Sequence, residues 1–529
     1  MHQETSSRDQ YDVVIIGGAI AGASTAVLLK RWRPSLSILI VERGEAFDRK
    51  VGEATVEISS LFLTRALGLY DHLLRNHLPK HGLRYWFSHR AGRPFSEMSE
   101  VGLGTIPQLP SFELDRSVLD QHVLDLACDL GVELLRPAKV KDVELSGTSN
   151  QIVIEANGNS RTVQSRWIVD ASGKTAYLSK RLGLWEKNED HQTSAIWARF
   201  RGVKDMDGKE VMGPDPRSPN LPFLRCARRL ATNHFCTRGS WTWLIPLSSG
   251  MTSVGTVFDK RLFELPPGSS TRERFMKFVN QSSGLCELLE GAELEEGDLR
   301  TYEHLSYHSR QYMDDGWAIV GDAAAFIDPY YSPGLDHVSF SVYASARLIE
   351  EQLSGKLEGS ALTDRIAVHN DEFERSFHHY YRALYKDKYE IMGDAELTAA
   401  SYLMDTSMYF MGVVGPAYRD IEELRRPVLG QKVWGSRVAS LVLSTYNRRL
   451  AKLARARVAN GTYGQRNENW RCIGRDFGVG DKGFNRAFLS GLRIWLGAEL
   501  DVLRRRIIGP RGNSSAASSE SAAYSENRA

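Results

Sequence analysis

Apolar residues near the start of the chain fall into two short unbroken runs separated by small residues. Tyr11-Asp-Val-Val-Ile-Ile16 and Ser37-Ile-Leu-Ile-Val41 are dense in β-branched residues, the pattern of strands buried on both faces. Between them, Ala21 to Arg31 is rich in Ala and Leu and reads as a helix, so the segment is a βαβ unit. From Ser111 to Leu130 the spacing fits an amphipathic helix opened near Asp115, with a strand over Val132 to Leu135. Alternation over 139–156 and 161–169 predicts a small antiparallel meander, which Arg166-Trp-Ile-Val-Asp170 closes as a buried strand end.

The period changes after residue 190. Ala195–Arg201, Ser240–Pro246 and Thr252–Asp259 read as strands joined by turn-rich segments, and Gly316-Trp-Ala-Ile-Val-Gly321 is again a buried strand. Beyond Ser339 the chain is mostly helical to about Arg506. These patterns predict an α/β protein. A Rossmann-type domain is assembled from 11–190 and 300–355, with 81–110 reaching toward the substrate side. An antiparallel-sheet substrate domain covers 191–299, a helical C-terminal extension covers 356–511 and closes the pocket, and 1–10 and 512–529 are expected to be disordered.

Composition narrows the class of partner. The 529 residues are 42% hydrophobic and carry 67 basic against 65 acidic side chains, so the net charge of +2 recruits neither nucleic acid nor an anionic membrane. A small molecule is the expected partner. Cys128, Cys226, Cys236, Cys286 and Cys472 lack metal-binding spacing, which predicts reduced thiols in a cytoplasmic setting and no structural metal. No signal peptide opens the sequence, and no apolar run has bilayer-spanning length. The basic, apolar stretch Gln431–Arg457 has the spacing of a membrane-surface helix or a carrier-protein dock, but packing on the main body is the expectation adopted.

Chemistry enters at the strand ends. The first strand runs into Gly17-Gly-Ala-Ile-Ala-Gly22, and the second ends in Glu42 with Arg43 beside it. A pyrophosphate needs close backbone approach and a helix N-terminus, which Gly17, Gly18, Ala21 and Gly22 allow; the acid then reaches ribose hydroxyls. Ala19 stands where this fingerprint has its second glycine, and the loop alone is compatible with a plain strand-to-helix turn. A second strand end, Gly321-Asp322 before small residues, is the other half of an FAD clamp; Asp322 serves ribityl hydroxyls, a helix N-cap, or both. Val169-Asp-Ala-Ser-Gly173 supplies Asp170 as a third contact region, and Arg116 at a helix start reaches the pyrophosphate or stays in solvent.

Three further strings carry a family likeness. Val51-Gly-Glu-Ala-Thr55, Trp241-Thr-Trp-Leu-Ile-Pro246 and Phe326-Ile-Asp-Pro-Tyr-Tyr-Ser-Pro-Gly334 together resemble the flavin-dependent halogenases, a branch of the FAD-dependent monooxygenases. The W-x-W-x-I-P signature falls on Trp241, Trp243, Ile245 and Pro246, and F-x-x-P-x-x-S-x-G on Phe326, Pro329, Ser332 and Gly334. Coverage runs from about Tyr11 to Ala346. The resemblance implies FAD contacts from Glu53, Pro329, Ser332, Gly334 and Leu335, and a substrate pocket bounded by Trp241, Trp243, Phe326 and Tyr331. It also implies a separate flavin reductase and a lysine that relays hypohalous acid to an electron-rich ring. Lys80, in Pro79-Lys-His-Gly-Leu-Arg-Tyr-Trp-Phe87, matches that lysine; otherwise it is a surface lysine beside a turn. The tryptophans separate flavin from substrate space or simply fill core.

Two departures bear on the reaction. Tyr331 stands where tryptophan-specific members carry a glutamate, and Pro333 has no N–H at a position where the family holds halide through backbone donors. Loss of one donor weakens a halide site by about 1–3 kcal/mol, so only a weak halide dependence is expected. Asp336 and His337 follow at the next helix start. His337 is a candidate proton shuttle, although a lone histidine is more often structural. The expected function is oxidation of an electron-rich, chiefly aromatic small molecule of secondary metabolism, free or carrier-tethered, by halogenation or hydroxylation. The rival is an oxygen-independent flavin dehydrogenase on the same fold, such as a polyprenyl reductase.

Overall fold

The computed structural model describes residues 8–508 except 49, 88–92, 213–225, 469 and 475–482. The tail expected to be disordered, 512–529, lies outside the described residues, as does 1–7; Gln10 already opens the first strand.

Two sheets organise the chain. In the first, the parallel strands β1 (Gln10–Ile16), β2 (Ile38–Val41), β3 (Glu133–Leu135), β4 (Asn159–Asp170) and β5 (Trp317–Ile319) lie in the spatial order β3-β2-β1-β4-β5. That is a doubly wound order, with the switch point between β1 and β4. Val13 to Ile15 and Ile38 to Ile40 are buried because helices cover the sheet: α1 (Ile20–Trp32), α2 (Arg116–Asp129) and α3 (Gly334–Leu353). Asp115 caps α2, its carboxylate accepting from Ser117 N at 3.2 Å. The first half of β4 leaves the parallel core to form an antiparallel meander with Ala138–Glu144 and Asn150–Ala156.

The second sheet has nine strands: those contributed by 191–299 pair antiparallel with one another, and the parallel pairings come from strands outside that span. Thr193–Arg201, Thr252–Asp259, Ser240–Pro246 and Thr232–Thr237 pair antiparallel in that order. Leu83–Phe87 then joins parallel to Thr232–Thr237, Ser99–Leu103 pairs with it, and Arg471–Gly474 from the otherwise helical C-terminal region adds a parallel edge. Alternation assigns the faces. Tyr85, Phe87, Trp241 and Trp243 point to one core, while Trp86, Phe95 and Leu244 point to the opposite one. The first core is covered by α4 (Ala395–Tyr409), α5 (Trp434–Ala459) and α6 (Gly483–Ile508). Gly491 lets α6 approach α4 closely: a Cβ there would lie 3.2 Å from Ala400 O. Buried Arg457 fixes α5 to the start of α4 through Asp394 at 2.9 Å.

Candidate active site

The C-terminal ends of β1, β4 and β5 are neighbours, so Gly17, Ala171 and Gly321 meet at one edge of the parallel sheet. Space there is tight. A Cβ on Gly17, whose φ is +99°, would lie 2.6 Å from Ala171 O, and one on Gly22 would lie 1.9 Å from Gly17 O. Gly321, with φ of +59°, leaves only 3.1 Å between its own Cβ position and the methyl of Ala21. The early glycine turn and the late Gly-Asp strand end therefore touch. Glu42 braces the loop, its two carboxylate oxygens accepting from Gly18 N at 2.7 Å and Gly44 N at 2.9 Å.

Charge in this cleft suits a dinucleotide. The Asp322 carboxylate accepts no hydrogen bond from the described residues, while Lys174, Arg116 and Lys50 surround it. Burial raises the Asp322 carboxyl, and those cations oppose the rise. The Lys174 ammonium lies 3.1 Å from the ring centre of Tyr302 and 4.9 Å from that of Phe326, and burial lowers it to about 7. An unengaged carboxylate for hydroxyls, a helix N-terminus for phosphate and a rim of cations are the donor set FAD requires.

A second space is walled in part by Lys80. Lys80 is fixed by backbone pairing: its N–H donates to Ser111 O at 2.8 Å, and Leu78–Pro79 pairs with Phe112–Glu113. Its side chain is 3% exposed, and Nζ donates to Thr55 O at 2.7 Å. Burial lowers the ammonium's pKa; Glu113, Glu57 and Asp336 oppose this. Glu113 is itself pushed up by burial. One of its oxygens accepts from Thr232 Oγ1 at 2.8 Å, while Oε2 is buried without a hydrogen-bond partner among the described residues. Asp336 accepts from Ser59 N and Tyr409 OH, both at 2.8 Å, and burial raises its carboxyl to about 6.

Lys80 and Asp336 line a cavity of about 690 Å³, together with Tyr331, Tyr380, Tyr402 and Tyr409. The Phe410–Val414 stretch, a wide π-type turn continuing α4, and the first turns of α5 form its remaining wall. Tyr331 adopts φ of +71° and Ser332 +56°, a left-handed pair that turns the Tyr331 ring into the cavity, where its hydroxyl donates to Asp405 at 3.0 Å.

The tryptophan halogenase family model matches residues 12–109 and 88–389, most of the chain. The chain belongs to this family. Among curated relatives, the flavin-dependent halogenase chlA of Dictyostelium discoideum is 26% identical over 454 residues, covering 78% of this chain and 72% of the relative. The 1H-pyrrole-2-carbonyl peptidyl-carrier-protein chlorinase of Pseudomonas fluorescens is 27% identical over 396 residues, covering 71% and 80%. The crystal structure of halogenase PltM in complex with phloroglucinol and FAD superposes with a TM-score of 0.68 at 18% identity, over 93% of this chain and 96% of that one. The halogenase-family chain is thus a flavin-dependent oxidoreductase whose cofactor is FAD.

Set in this halogenase fold, these expected site residues fall in three places. Gly17, Gly18, Ala19, Ala21, Gly22, Glu42, Gly321 and Asp322 converge on the cleft, and Arg43 reaches it through Thr175 Oγ1 at 3.3 Å. Lys80 and Tyr331 share the cavity. Pro329, Ser332, Gly334 and Leu335 form the turn into α3, where Ser332 N donates to Pro329 O at 2.9 Å and Pro333 occupies the N-cap.

Other expected residues already hold partners within the protein. Arg116 spends its guanidinium on Asp120, at 3.0 and 3.1 Å, and on Val51 O and Gly52 O. Asp170 caps its own turn by accepting from Ser172 N and Leu178 N. Glu53 is buried, one carboxylate oxygen accepting from Arg199 at 2.7 Å, while Oε2 has no hydrogen-bond partner among the described residues. Trp241 and Trp243 do not line the cavity; they are core residues, donating to Tyr389 OH and Ser253 Oγ. Gly255 leaves room for Trp243, whose ring would lie 2.1 Å from a Cβ there. Phe326 and His337 line a smaller pocket beside Phe373, which shares Asp336, Phe340 and Tyr380 with the large cavity. Burial lowers His337 to about 4.

Lys174, Glu113, Tyr380, Tyr402, Tyr409 and Asp405 were not anticipated. None belongs to a spaced motif. Only the Gly173-Lys-Thr175 turn after a strand end gave any signal. Among the described residues no His, Cys, Asp or Glu group is arranged to hold a metal, and no helix is long and apolar enough to cross a membrane.

Proposed function

We propose that the chain halogenates an electron-rich aromatic ring bound in the Lys80 cavity. The supporting observation is the buried Lys80 ammonium, held at the wall of a 690 Å³ space that Asp336 also lines. With reduced FAD bound in the cleft, the site would have the electrons to activate oxygen, and halide would then be oxidised to hypohalous acid. Lys80 receives that species by hydrogen bonding, and its proton leaves with the hydroxide as water when the halogen passes to the ring carbon. Asp336, a carboxyl raised toward neutrality within the same cavity, takes the proton displaced from the ring. The tyrosines that line the cavity enclose the ring and limit escape of the oxidant to solvent.

A second reading, hydroxylation in the same cavity, is favoured by Pro333, which removes a backbone donor at the turn where halide is expected. A separate reductase supplies the reduced flavin on either reading, because the chain offers one Gly-rich dinucleotide loop of good quality, at Gly17–Gly22. The experiment is mass spectrometry of products from phenols, pyrroles and indoles, with and without bromide or chloride, in air and under anaerobic conditions. Halogenated product that needs oxygen supports the proposal. Oxygenated product indifferent to halide supports the second reading, and product formed without oxygen refutes both.

A further inference from the structure

The cavity is much larger than one ring requires, and its polarity is graded along its length. A space of about 150 Å³ holds benzene; this one is about 690 Å³. Polar groups gather at its buried end, where Lys80, Asp336 and Tyr409 lie within one hydrogen-bonded and charged cluster. The other end is rimmed by exposed apolar side chains: Met411 is 47%, Val433 53% and Trp434 79% exposed, all lining the same space. Phe410, Val438 and Leu443 add apolar surface to the lining. Glu423 and Arg426, which carry opposite charges on this outer part, are paired with each other at 3.0 Å. A polar or anionic extension of the substrate therefore finds few partners there, and burying its polar groups unpaired is costly.

We propose that the substrate of this site is an amphiphile: an electron-rich hydroxylated ring seated at Lys80, carrying a hydrocarbon chain. The chain lies along Phe410–Val414 and α5 and emerges past Trp434. The assignment rests on the aromatic-oxidation reading above. It accounts for the solvent-facing tryptophan at the rim, which covers the tail where it leaves the protein.

The test is equilibrium dialysis of FAD-loaded enzyme against 5-alkylresorcinols with chains from methyl to heptyl, alongside product formation from each. Affinity is expected to rise roughly fourfold per methylene while the chain is inside, then to level off. Ala439→Trp, which fills the wall on α5, should bring the plateau to a shorter chain while methylresorcinol binds as before. Flat affinity across the series, or a plateau unmoved by Ala439→Trp, overturns the assignment. If affinity climbs but no ring is oxidised, the chain-binding assignment stands and the oxidation reading fails. If short phenols are halogenated while affinity is flat, the oxidation reading stands and the amphiphile is refuted. Chain-independent binding together with efficient turnover of a carrier-bound aryl group would likewise replace the amphiphile with a tethered substrate.

Discussion

Replacing Lys80 by methionine separates the chemistry of this residue from its packing. Methionine matches the volume of the lysine stem, so the cavity wall persists. The substitution leaves Thr55 O without its 2.7 Å donor, a cost of about 1–3 kcal/mol. It also takes the cation from the buried cluster with Glu113 and Asp336, and loss of one partner of such a cluster costs about 3–5 kcal/mol, so the melting temperature should fall while the protein stays folded. FAD binding should be untouched, because Lys80 lies in the cavity and not among the Gly17, Gly321 and Asp322 groups of the cleft. Turnover should not survive. A positioned proton donor contributes about 10²–10⁴-fold, and the loss should appear in kcat more than in KM. The assay pairs flavin absorbance and a melting curve with product quantified by mass spectrometry. Lys80→Met enzyme that keeps its flavin and makes product within a few-fold of the parent would refute the role.

Four other perturbations follow from the geometry. Glu113→Gln removes the carboxylate that most strongly holds up the Lys80 pKa, so the ammonium should deprotonate at lower pH; the alkaline limb of kcat/KM should move to lower pH, and an unmoved limb contradicts the coupling. Pro333→Ser keeps a compatible backbone, φ −77°, and adds an N–H. The halide concentration for half-maximal rate should fall about tenfold, and no change would remove Pro333 from the halide site. Gly22→Ala places a methyl 1.9 Å from Gly17 O, so FAD should be lost on desalting; full retention of flavin would show the loop is more forgiving than its packing. His337→Asn should leave the pH profile in place, since the ring is already neutral above about pH 4, and a displaced limb would make it a proton shuttle.

Strand ends were the most legible feature of the sequence. Buried runs such as Val13–Ile16 and Ile38–Val41 admit only strands, and the glycines that follow are required by contacts as short as those of Gly17 and Gly22. Lys80 was legible from a motif. What the sequence concealed are interactions made across long separations. Trp241 and Trp243 have the residue types of a substrate wall, but strand alternation points them into a core shared with α4 and α5. Arg116, Asp170 and Glu53 have the charges of cofactor ligands, yet each satisfies a local backbone or side-chain partner that only the folded chain presents. The pocket residues Tyr402, Asp405 and Tyr409 lie on a helix without a spacing signature, placed by the docking of α4 against the mixed sheet.

The most direct test of the account is a single turnover. Fully reduced, FAD-loaded enzyme is mixed with air-saturated buffer, bromide and one alkylresorcinol, and the ring product is counted against enzyme. The account requires close to one brominated ring per active site from the parent chain and essentially none from Lys80→Met. Equal bromination by the two proteins, or a ring oxidised before oxygen is admitted, would contradict it.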